Sequence, residues 1–399
     1  MTSASSTTST NPARSTAALL SAVVLVALNL RLALSSLPAV ATAIQVETGW
    51  SDAFIGALTT IPVLCMGIFA LAVPRLAQHI GSRGAVLLAL VLMTVAMLLR
   101  LVGAVAATLF ISALLAGVSI AIIGGLVPGI VRAQLSHAMG TATSLWTTAM
   151  MGGAALGAAA TLPLSELLGG WNRALAFWAL PALAGLVAWW SVERGNPGHD
   201  RPATSVRLRD LPWRNRTAWA LTAFMTLNSI VFYSALAWIA PSYAERGYTP
   251  QTAGLLFGAF SAMQIVSALT LPRLSQGREW RRTLFTITII LSAAATTAIA
   301  IAPTVLPLIA LAVLGFNLSG GFAMSLGLLS DYASDGASAA RLTAMAFSVT
   351  YTVAAFGPFA AGLVMDTVQS WTLVFLLLAV VTLLQLLTVP FLKRRITIE

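Results

Sequence analysis

Long apolar runs separated by short polar stretches repeat along the whole chain. A helix needs roughly 20 apolar residues to cross the hydrocarbon layer of a bilayer. Twelve runs approach or exceed that length, and turn-forming residues such as those in "ETGWSD" and "HIGSRG" lie between them. We therefore predict twelve transmembrane helices, at about 17–43, 53–74, 84–102, 105–131, 139–165, 171–192, 217–242, 251–273, 282–302, 305–329, 340–366 and 370–392.

The composition excludes a water-soluble globular protein. Of the 399 residues, 58% are hydrophobic and only 9% are charged, whereas a soluble domain has about 25% charged residues. A chain of this kind covers its surface with lipid rather than with water. We therefore expect an all-α membrane protein in contact with the lipid bilayer.

Basic residues concentrate on one side of the predicted topology. If the N-terminus is cytoplasmic, every one of the 22 Lys and Arg residues lies on the cytoplasmic side except Arg31, Arg100, Arg173 and Arg246. This bias is the positive-inside rule. The net charge of +10 is then explained by attraction to the anionic inner leaflet, so no nucleic-acid partner is expected. We predict a multi-pass protein of the cell inner membrane with both termini in the cytoplasm.

The second half of the chain repeats the first. "PRLAQ" at 74–78 returns as "PRLSQ" at 272–276, an offset of 198, and the offset reaches only 200 in the eleventh span. Other matched positions are Asn29 and Asn228, Glu47 and Glu245, Gly56 and Gly254, Gly117 and Gly315, Gly157 and Gly357, Glu166 and Asp366, and Trp171 and Trp371. A parallel duplication of six helices is typical of secondary transporters, whose substrate site lies between the halves.

The repeat and the polar segments define a domain organisation. We expect a disordered cytoplasmic tail at 1–16, a six-helix bundle at 17–192, a cytoplasmic linker at 193–216 and a second six-helix bundle at 217–399. The linker is the most polar internal segment, and it falls midway between the two sets of six predicted spans.

Three segments resemble a known family. They are "NLRLALSSLPAV", "TTIPVLCMGIFALAVPRLAQHIG" and "LLAGVSIAIIGGLVPGIV". Together with the two six-helix repeats, they resemble the major facilitator superfamily and, within it, the cyanate and nitroimidazole transporter family. The resemblance implies two pseudo-symmetric six-helix bundles that alternate access to a substrate bound at their interface.

The resemblance also implies a gate at the loop between the second and third spans and at its counterpart in the second half. The superfamily loop usually reads Gly-x-Leu-Ala-Asp-Arg-x-Gly-Arg-Arg, and here a glutamine replaces the acidic residue. We expect the gate to depend on hydrogen bonds and packing instead of that residue's ion pair. The gating candidates are Arg75, Gln78, Arg83, Arg273 and Gln276.

Arg31 lies in the middle of the first predicted span, where a charge costs about 2.5–3.5 kcal/mol or more. All twelve acidic residues fall at helix ends or in loops, so Arg31 has no embedded acidic partner. It can bind an anionic substrate, donate structurally to helix-end carbonyls and water, or snorkel to an interface. Snorkelling is disfavoured because the helix begins roughly 20 Å away. Pro38, in the same span, is expected to permit a bend.

Other residues at mid-depth complete the candidate site. Ser35 shares a helical face with Arg31, whereas Asn29 points almost oppositely and is expected to pack on a neighbouring helix. Each polar candidate has an interhelical hydrogen bond as its alternative role, and Trp146 has packing or lipid contact. The candidate substrate-binding residues are Arg31, Ser35, Trp146, Asn228, Tyr233, Gln264 and Tyr351.

The sequence favours a carrier over an enzyme. No histidine lies within a span and no Gly-x-x-x-x-Gly-Lys loop is present, so no catalytic set, metal site or cofactor is predicted. Our hypothesis is a monomeric secondary or facilitative transporter of a small polar, anionic organic solute. The alternatives are an efflux carrier for a small aromatic or nitro compound that gives drug resistance, and a non-transporting receptor built on the same fold.

Overall fold

The computed structural model describes residues 12–134, 139–195, 207–275 and 280–392. The first helix begins at Pro12, inside the segment that we expected to be a disordered tail, and residues 1–11 lie outside the described part. Proline suits a first helical position because its missing N–H would have no partner there. The predicted linker is described only at 193–195 and 207–216.

The helices of the first half are α1 (Pro12–Ser35), α2 (Ala41–Thr48), α3 (Asp52–Phe69), α4 (Val73–Ile80), α5 (Ser82–Leu99), α6 (Ala106–Gln134), α7 (Met139–Leu168), α8 (Trp171–Phe177) and α9 (Ala179–Gly195). Those of the second half are α10 (Arg216–Glu245), α11 (Pro250–Ser275), α12 (Arg281–Ile301), α13 (Pro307–Asp331), α14 (Gly336–Ala354), α15 (Phe356–Val368) and α16 (Trp371–Leu384).

Within the described residues, twelve helical stretches are long and apolar enough to cross a membrane, which confirms the predicted number and order of spans. The first span comprises α1 and α2, the sixth α8 and α9, and the eleventh α14 and α15. Helix α1 ends at Ser35, and a 3₁₀ turn at Pro38–Val40 precedes α2. The expected irregularity at Pro38 is therefore present, because proline cannot donate the backbone hydrogen bond that would continue the helix.

Matched glycines allow equivalent helices to pack closely in both bundles. Gly157 on α7 lies directly against Ser35 on α1, and Gly357 on α15 lies against Ser234 on α10. A Cβ atom at Gly357 would sit 2.7 Å from the Ser234 Oγ, so a larger residue would not fit without movement. The small residues predicted at these tracts thus serve helix packing.

Matched tryptophans tie each bundle in the same way. The Trp171 indole donates a hydrogen bond to the Glu47 carboxylate at 2.7 Å, and the Trp371 indole donates to the Glu245 carboxylate, also at 2.7 Å. Each bond links the start of the sixth helix of a bundle to the end of its first. The structure is therefore two pseudo-symmetric six-helix bundles, as predicted.

Two seams join the bundles. The first seam is formed by α3 against α14 and α15, and the second seam by α7 against α11. We call the end of the molecule that carries Arg75 and Arg273 the basic end, and the end that carries Asp52 and Asp366 the acidic end. Arg31, Tyr233 and Tyr351 meet where the two bundles face one another.

Candidate functional site

Arg31 lies near the middle of the first span and points across the interface between the bundles. Its guanidinium carbon is 4.9 Å from the ring centroid of Phe232 and 5.9 Å from that of Tyr233. Both rings belong to α10, in the other bundle. The side chain is partly exposed, and its ring contacts direct it away from lipid.

No carboxylate of the described residues neutralises Arg31. Among the described residues, ion pairs join Arg209 to Asp210 and Arg281 to Asp331, both away from this position. The Nη1 atom of Arg31 is buried and has no hydrogen-bond partner among the described residues. The guanidinium also interacts with the Tyr233 side chain. Its Nη1–H groups, which have no protein partner, suit a ligand that carries negative charge and planar acceptors.

The structure brings three of the predicted site residues together. Arg31 touches the Tyr233 ring, and that ring is 6.3 Å from the ring of Tyr351, in an edge-on arrangement. Tyr351 lies on α14 and is partly exposed, whereas Tyr233 is buried. The cation thus comes from the first bundle and the aromatic groups from the second.

Two predicted site residues make contacts that suit helix packing. The Asn228 side-chain amide donates to the Leu318 carbonyl at 3.1 Å, which ties α10 to α13. Ser35 is buried against Gly157 of α7, and its hydroxyl has no hydrogen-bond partner among the described residues. Asn29 donates to the Pro181 carbonyl of α9 at 2.8 Å, as expected for a residue that packs within its own bundle.

Gln264 and Trp146 lie on the helices of the second seam. Gln264 is buried on α11, and its backbone oxygen accepts a hydrogen bond from Ser319 at 3.1 Å. Trp146 on α7 is partly exposed and packs against the apolar core. Neither has a measured contact with Arg31.

The gating candidates lie around the basic end. Arg75 and Gln78 are exposed, Arg83 is buried, and Gln276 lies outside the described residues. Arg273 is exposed and lines a cleft of about 390 Å³ in the second seam. The other residues lining this cleft are Thr143, Ser144, Thr147, Ala268, Leu269 and Pro272.

The acidic end is closed by contacts between the bundles. The Asp366 carboxylate accepts hydrogen bonds from the backbone N–H groups of Asp52 and Ala53, at 2.8 and 2.9 Å. These N–H groups begin α3, where the helix dipole favours a negative charge. Between this closure and Arg31, a cavity of about 10 Å³ beside Tyr233 and Thr59 has room for about one water molecule.

Arg100 lies at the outer end of its span, as predicted, but the sequence did not predict its partners. Only 2% of the residue is exposed, because the side chain turns into the first bundle. Its guanidinium donates to Ser112 Oγ at 3.0 Å, Ser36 Oγ at 3.1 Å and the Ala33 carbonyl at 3.1 Å. The break near Pro38 interrupts the regular helix bonding around Ala33, so Arg100 supports the bent part of the first span.

Arg246 has a related role in the second bundle, but it follows the first span of its bundle and bonds to the third, whereas Arg100 lies on the third span and bonds to the first. Arg246 follows α10 and donates to the Ile299 carbonyl of α12 at 3.1 Å. Its guanidinium carbon lies 5.7 Å from the Tyr243 ring centroid and 5.5 Å from that of Phe375. Desolvation by burial lowers the pKa of Arg246 from its ordinary value. Each bundle thus joins its first and third spans through an arginine.

Phe232 is the other functional candidate that was not in the predicted site. At 100° per residue, Phe232 shares a helical face with Asn228 and Tyr233 lies off that face, yet both rings contact Arg31. A guanidinium on a long flexible side chain reaches two adjacent rings even though their Cα–Cβ directions differ by about 100°. The sequence feature that could have identified Phe232 is the pair of adjacent aromatic residues, Phe232 and Tyr233, in the middle of the seventh span.

Comparisons with known proteins agree with this architecture. The model of the Major Facilitator Superfamily matches residues 19–275 and 234–397. The cyanate transport protein CynX of Escherichia coli (strain K12) is 31% identical over 342 residues, covering 85% of this chain and 88% of that protein. The 2-nitroimidazole transporter of the same organism is 27% identical and covers 92% of this chain and 93% of that protein.

A solved structure supports the same fold. It is that of a bacterial homolog to the human lysosomal transporter Spinster, in an inward-facing and occupied conformation. The TM-score is 0.75, the sequence identity is 13%, and the alignment covers 96% of this chain and 97% of the other.

Proposed function

This chain belongs to the major facilitator superfamily, and on that premise we propose that it carries a small, polar, anionic organic solute across the membrane by alternating access. The solute binds between the bundles at Arg31. Because the cation and the aromatic rings come from the two halves of one chain, a monomer holds the complete site. The basic end faces the cytoplasm, where the linker at 193–216 connects the bundles.

The observation that carries this proposal is the unneutralised guanidinium of Arg31. A charge at mid-membrane costs about 2.5–3.5 kcal/mol or more, and described residues supply neither a carboxylate nor a partner for the buried Nη1. An anion with two acceptor atoms supplies both. Its binding would therefore offset an unfavourable feature of the empty protein.

The two seams suggest how access alternates. With the acidic end closed by Asp366 and the second seam spread at the basic end, solute reaches the site from the basic end. Rocking the bundles in the opposite sense closes the cleft at Arg273 and separates Asp366 from α3. Because the two bundles are packed in the same way internally, each can move as a nearly rigid body.

One of the two named relatives supports an anionic substrate class. CynX is named for cyanate, a small anion, and it is the more similar of the two relatives. We propose the class and not that particular solute for this chain, because few of the side chains around Arg31 offer hydrogen bonds that would select one small anion.

The test removes the charge while keeping a polar side chain. In proteoliposomes, Arg31→Gln is expected to lower anion binding by about 2–5 kcal/mol, which is roughly 30-fold or more. Arg31→Lys keeps the charge but loses the planar guanidinium that donates two parallel hydrogen bonds, so it should retain part of the affinity. The matched control is Arg173→Gln, because Arg173 is an exposed arginine that donates only locally, to the Leu168 carbonyl.

Binding and uptake are measured together on labelled cyanate and acetate, with protein in the membrane quantified for each variant. If Arg31→Gln transports as fast as the unmodified protein while Arg173→Gln behaves likewise, the anion site is not at Arg31 and the proposal fails.

The second candidate is an efflux carrier for a small aromatic or nitro compound. The 27% identity to the 2-nitroimidazole transporter and the rings beside Arg31 favour it. Cells with and without the protein are loaded with labelled 2-nitroimidazole. Lower accumulation of the label in cells that contain the protein than in cells that lack it would favour efflux. Equal accumulation would exclude this solute.

A further inference from the structure

A row of six aromatic rings crosses the second bundle, and its two central rings lie against the charge of Arg31 in the first bundle. We call it the aromatic row; its members, in order, are Phe347, Tyr351, Tyr233, Phe232, Phe260 and Phe257. Successive ring centroids are 5.5, 6.3, 5.1, 6.3 and 5.7 Å apart. These spacings are within the range of aromatic pairs that attract one another through their quadrupoles.

Phe232 and Tyr351 are the members of the row that face the space between the bundles. Both are partly exposed, although both lie inside long spans. Phe232 touches Arg31 of the other bundle, and Tyr351 meets Tyr233, which also touches Arg31. Their exposed surface is therefore turned toward the candidate site. Phe257 and Phe260 are buried behind them and hold Phe232 from the far side.

The ring of Phe232 leaves only part of the guanidinium available to a ligand. The Phe232 ring centroid is 4.9 Å from the guanidinium carbon, so the ring occupies one side of the cation. On this geometry we expect acceptor atoms to reach the N–H groups at the rim. A carboxylate bound at that rim lies in the plane of the guanidinium. The remainder of the ligand then projects along the aromatic row, where a flat π-system can stack and a puckered aliphatic ring cannot.

We propose that the aromatic row makes this carrier selective for flat, conjugated anions, and that Phe232 determines that selectivity. The inference rests on the proposed function, because it requires an anion at Arg31. It adds the shape and electronic character of the solute, which charge alone does not specify.

The experiment compares two acids of equal charge and carbon number. Benzoate is flat and conjugated, and cyclohexanecarboxylate is puckered and saturated. Affinities for purified full-length protein are measured by titration calorimetry in detergent. The unmodified protein should bind benzoate about 3- to 10-fold more tightly, the range expected for one aromatic contact. Phe232→Leu should bind both acids with similar affinity.

Three variants separate selectivity from folding. Phe232→Trp keeps a flat ring and should retain the preference for benzoate. Phe356→Leu is the control, because Phe356 is an exposed phenylalanine outside the row, and it should behave like the unmodified protein. Tyr351→Leu should reduce the preference and provides the readout if Phe232→Leu does not fold.

The outcomes distinguish this inference from the function on which it rests. Equal affinity of the unmodified protein for both acids would overturn the role of the row and leave the anion site intact. A preference for benzoate that survives in both Phe232→Leu and Tyr351→Leu would overturn it as well. Failure of the unmodified protein to bind either acid, while it still binds cyanate or acetate, would overturn the inference and leave the anion site intact. Failure to bind any of the four anions would overturn the anion site itself.

Discussion

The two seams between the bundles are built from matched helices, yet one is tight and the other is loose. Gly56 on α3 and Gly254 on α11 occupy equivalent positions, 198 residues apart. A Cβ atom at Gly56 would lie 2.6 Å from the Pro358 carbonyl oxygen, whereas one at Gly254 would lie 3.8 Å from the Ala158 carbonyl oxygen. Ala158 and Pro358 are themselves equivalent at the offset of 200. The repeat therefore conserves the contact surface without conserving the distance across it.

Hydrogen bonds reinforce the difference. Across the first seam, the Thr60 hydroxyl donates to the Ala355 carbonyl at 2.6 Å and the Ser348 hydroxyl donates to the Gly67 carbonyl at 3.1 Å. The second seam instead contains the cleft of about 390 Å³ at the basic end. The two bundles are thus held together along the first seam, whereas a cleft separates them at the basic end of the second seam. The following variants test that asymmetry, in order of expected effect.

The largest difference is expected between Gly56→Ala and Gly254→Ala. The methyl group at position 56 meets backbone atoms that cannot rotate away, so we expect a loss of about 2 kcal/mol from overpacking and a marked fall in transport. At position 254 the contact is ordinary, and the better helix propensity of alanine should leave stability unchanged or raised by up to about 1 kcal/mol. Thermal unfolding in detergent and proteoliposome uptake measure both effects. Equal losses in the two variants would contradict the asymmetry.

The next difference concerns the closure at the acidic end. Asp366→Ala removes the acceptor for two N–H groups of α3 and should weaken closure by about 1 kcal/mol. Its counterpart Glu166 is exposed, and α11 begins with Pro250, which has no N–H to offer. Glu166→Ala should therefore have little effect.

Accessibility reports this closure directly. In a Cys65→Ala background, Thr59→Cys places a thiol beside the small cavity at the acidic side of the site. A membrane-impermeant maleimide should label it about fivefold faster when Asp366→Ala is added. Labelling that accelerates equally with Glu166→Ala would show that the carboxylate does not close the first seam.

A smaller effect is expected at Thr60. Thr60→Val keeps the shape of the side chain but removes the donor to the Ala355 carbonyl, which should lower unfolding free energy by about 1 kcal/mol. Thr270→Val is the matched control, because Thr270 donates only within its own helix, to the Val266 carbonyl at 2.8 Å. The comparison uses chemical or thermal unfolding of both purified variants. A control as destabilised as Thr60→Val would mean that the crossing bond adds nothing to the seam.

No difference is expected inside the bundles. Trp171→Phe and Trp371→Phe each remove a 2.7 Å bond to a carboxylate, so each should cost about 1–3 kcal/mol and the two should agree within about 0.5 kcal/mol. Unfolding measured side by side checks this equality. A large disparity would place the asymmetry within the bundles rather than between them.

The sequence was sufficient for the spans and the repeat. Apolar run length is dictated by bilayer thickness, and matched letters such as those around Trp171 and Trp371 correspond to matched contacts in the structure. The interruption near Pro38 also followed from local chemistry, because proline lacks an N–H.

The sequence did not predict which residues each side chain would contact. Periodicity gives the direction of a side chain around its own helix but not the helix that it meets. The pattern therefore placed Arg100 on the outer side without its partners, Ser36 and Ser112, whose hydroxyl groups accept its N–H groups. For the same reason Asn228 was a candidate wall residue, whereas the structure gives it an interhelical bond, and Phe232 was left out of the site.

On the proposed alternating-access mechanism, Arg31 stays near the middle of its span whichever end is open, and this has an electrical consequence. In a carrier that alternates access, the membrane voltage falls mainly across the closed end, so a change of open end moves the voltage drop past a stationary charge. One elementary charge corresponds to about 2.3 kcal/mol per 100 mV across the full drop. Voltage therefore biases the empty carrier toward one orientation, and a bound monoanion cancels that bias.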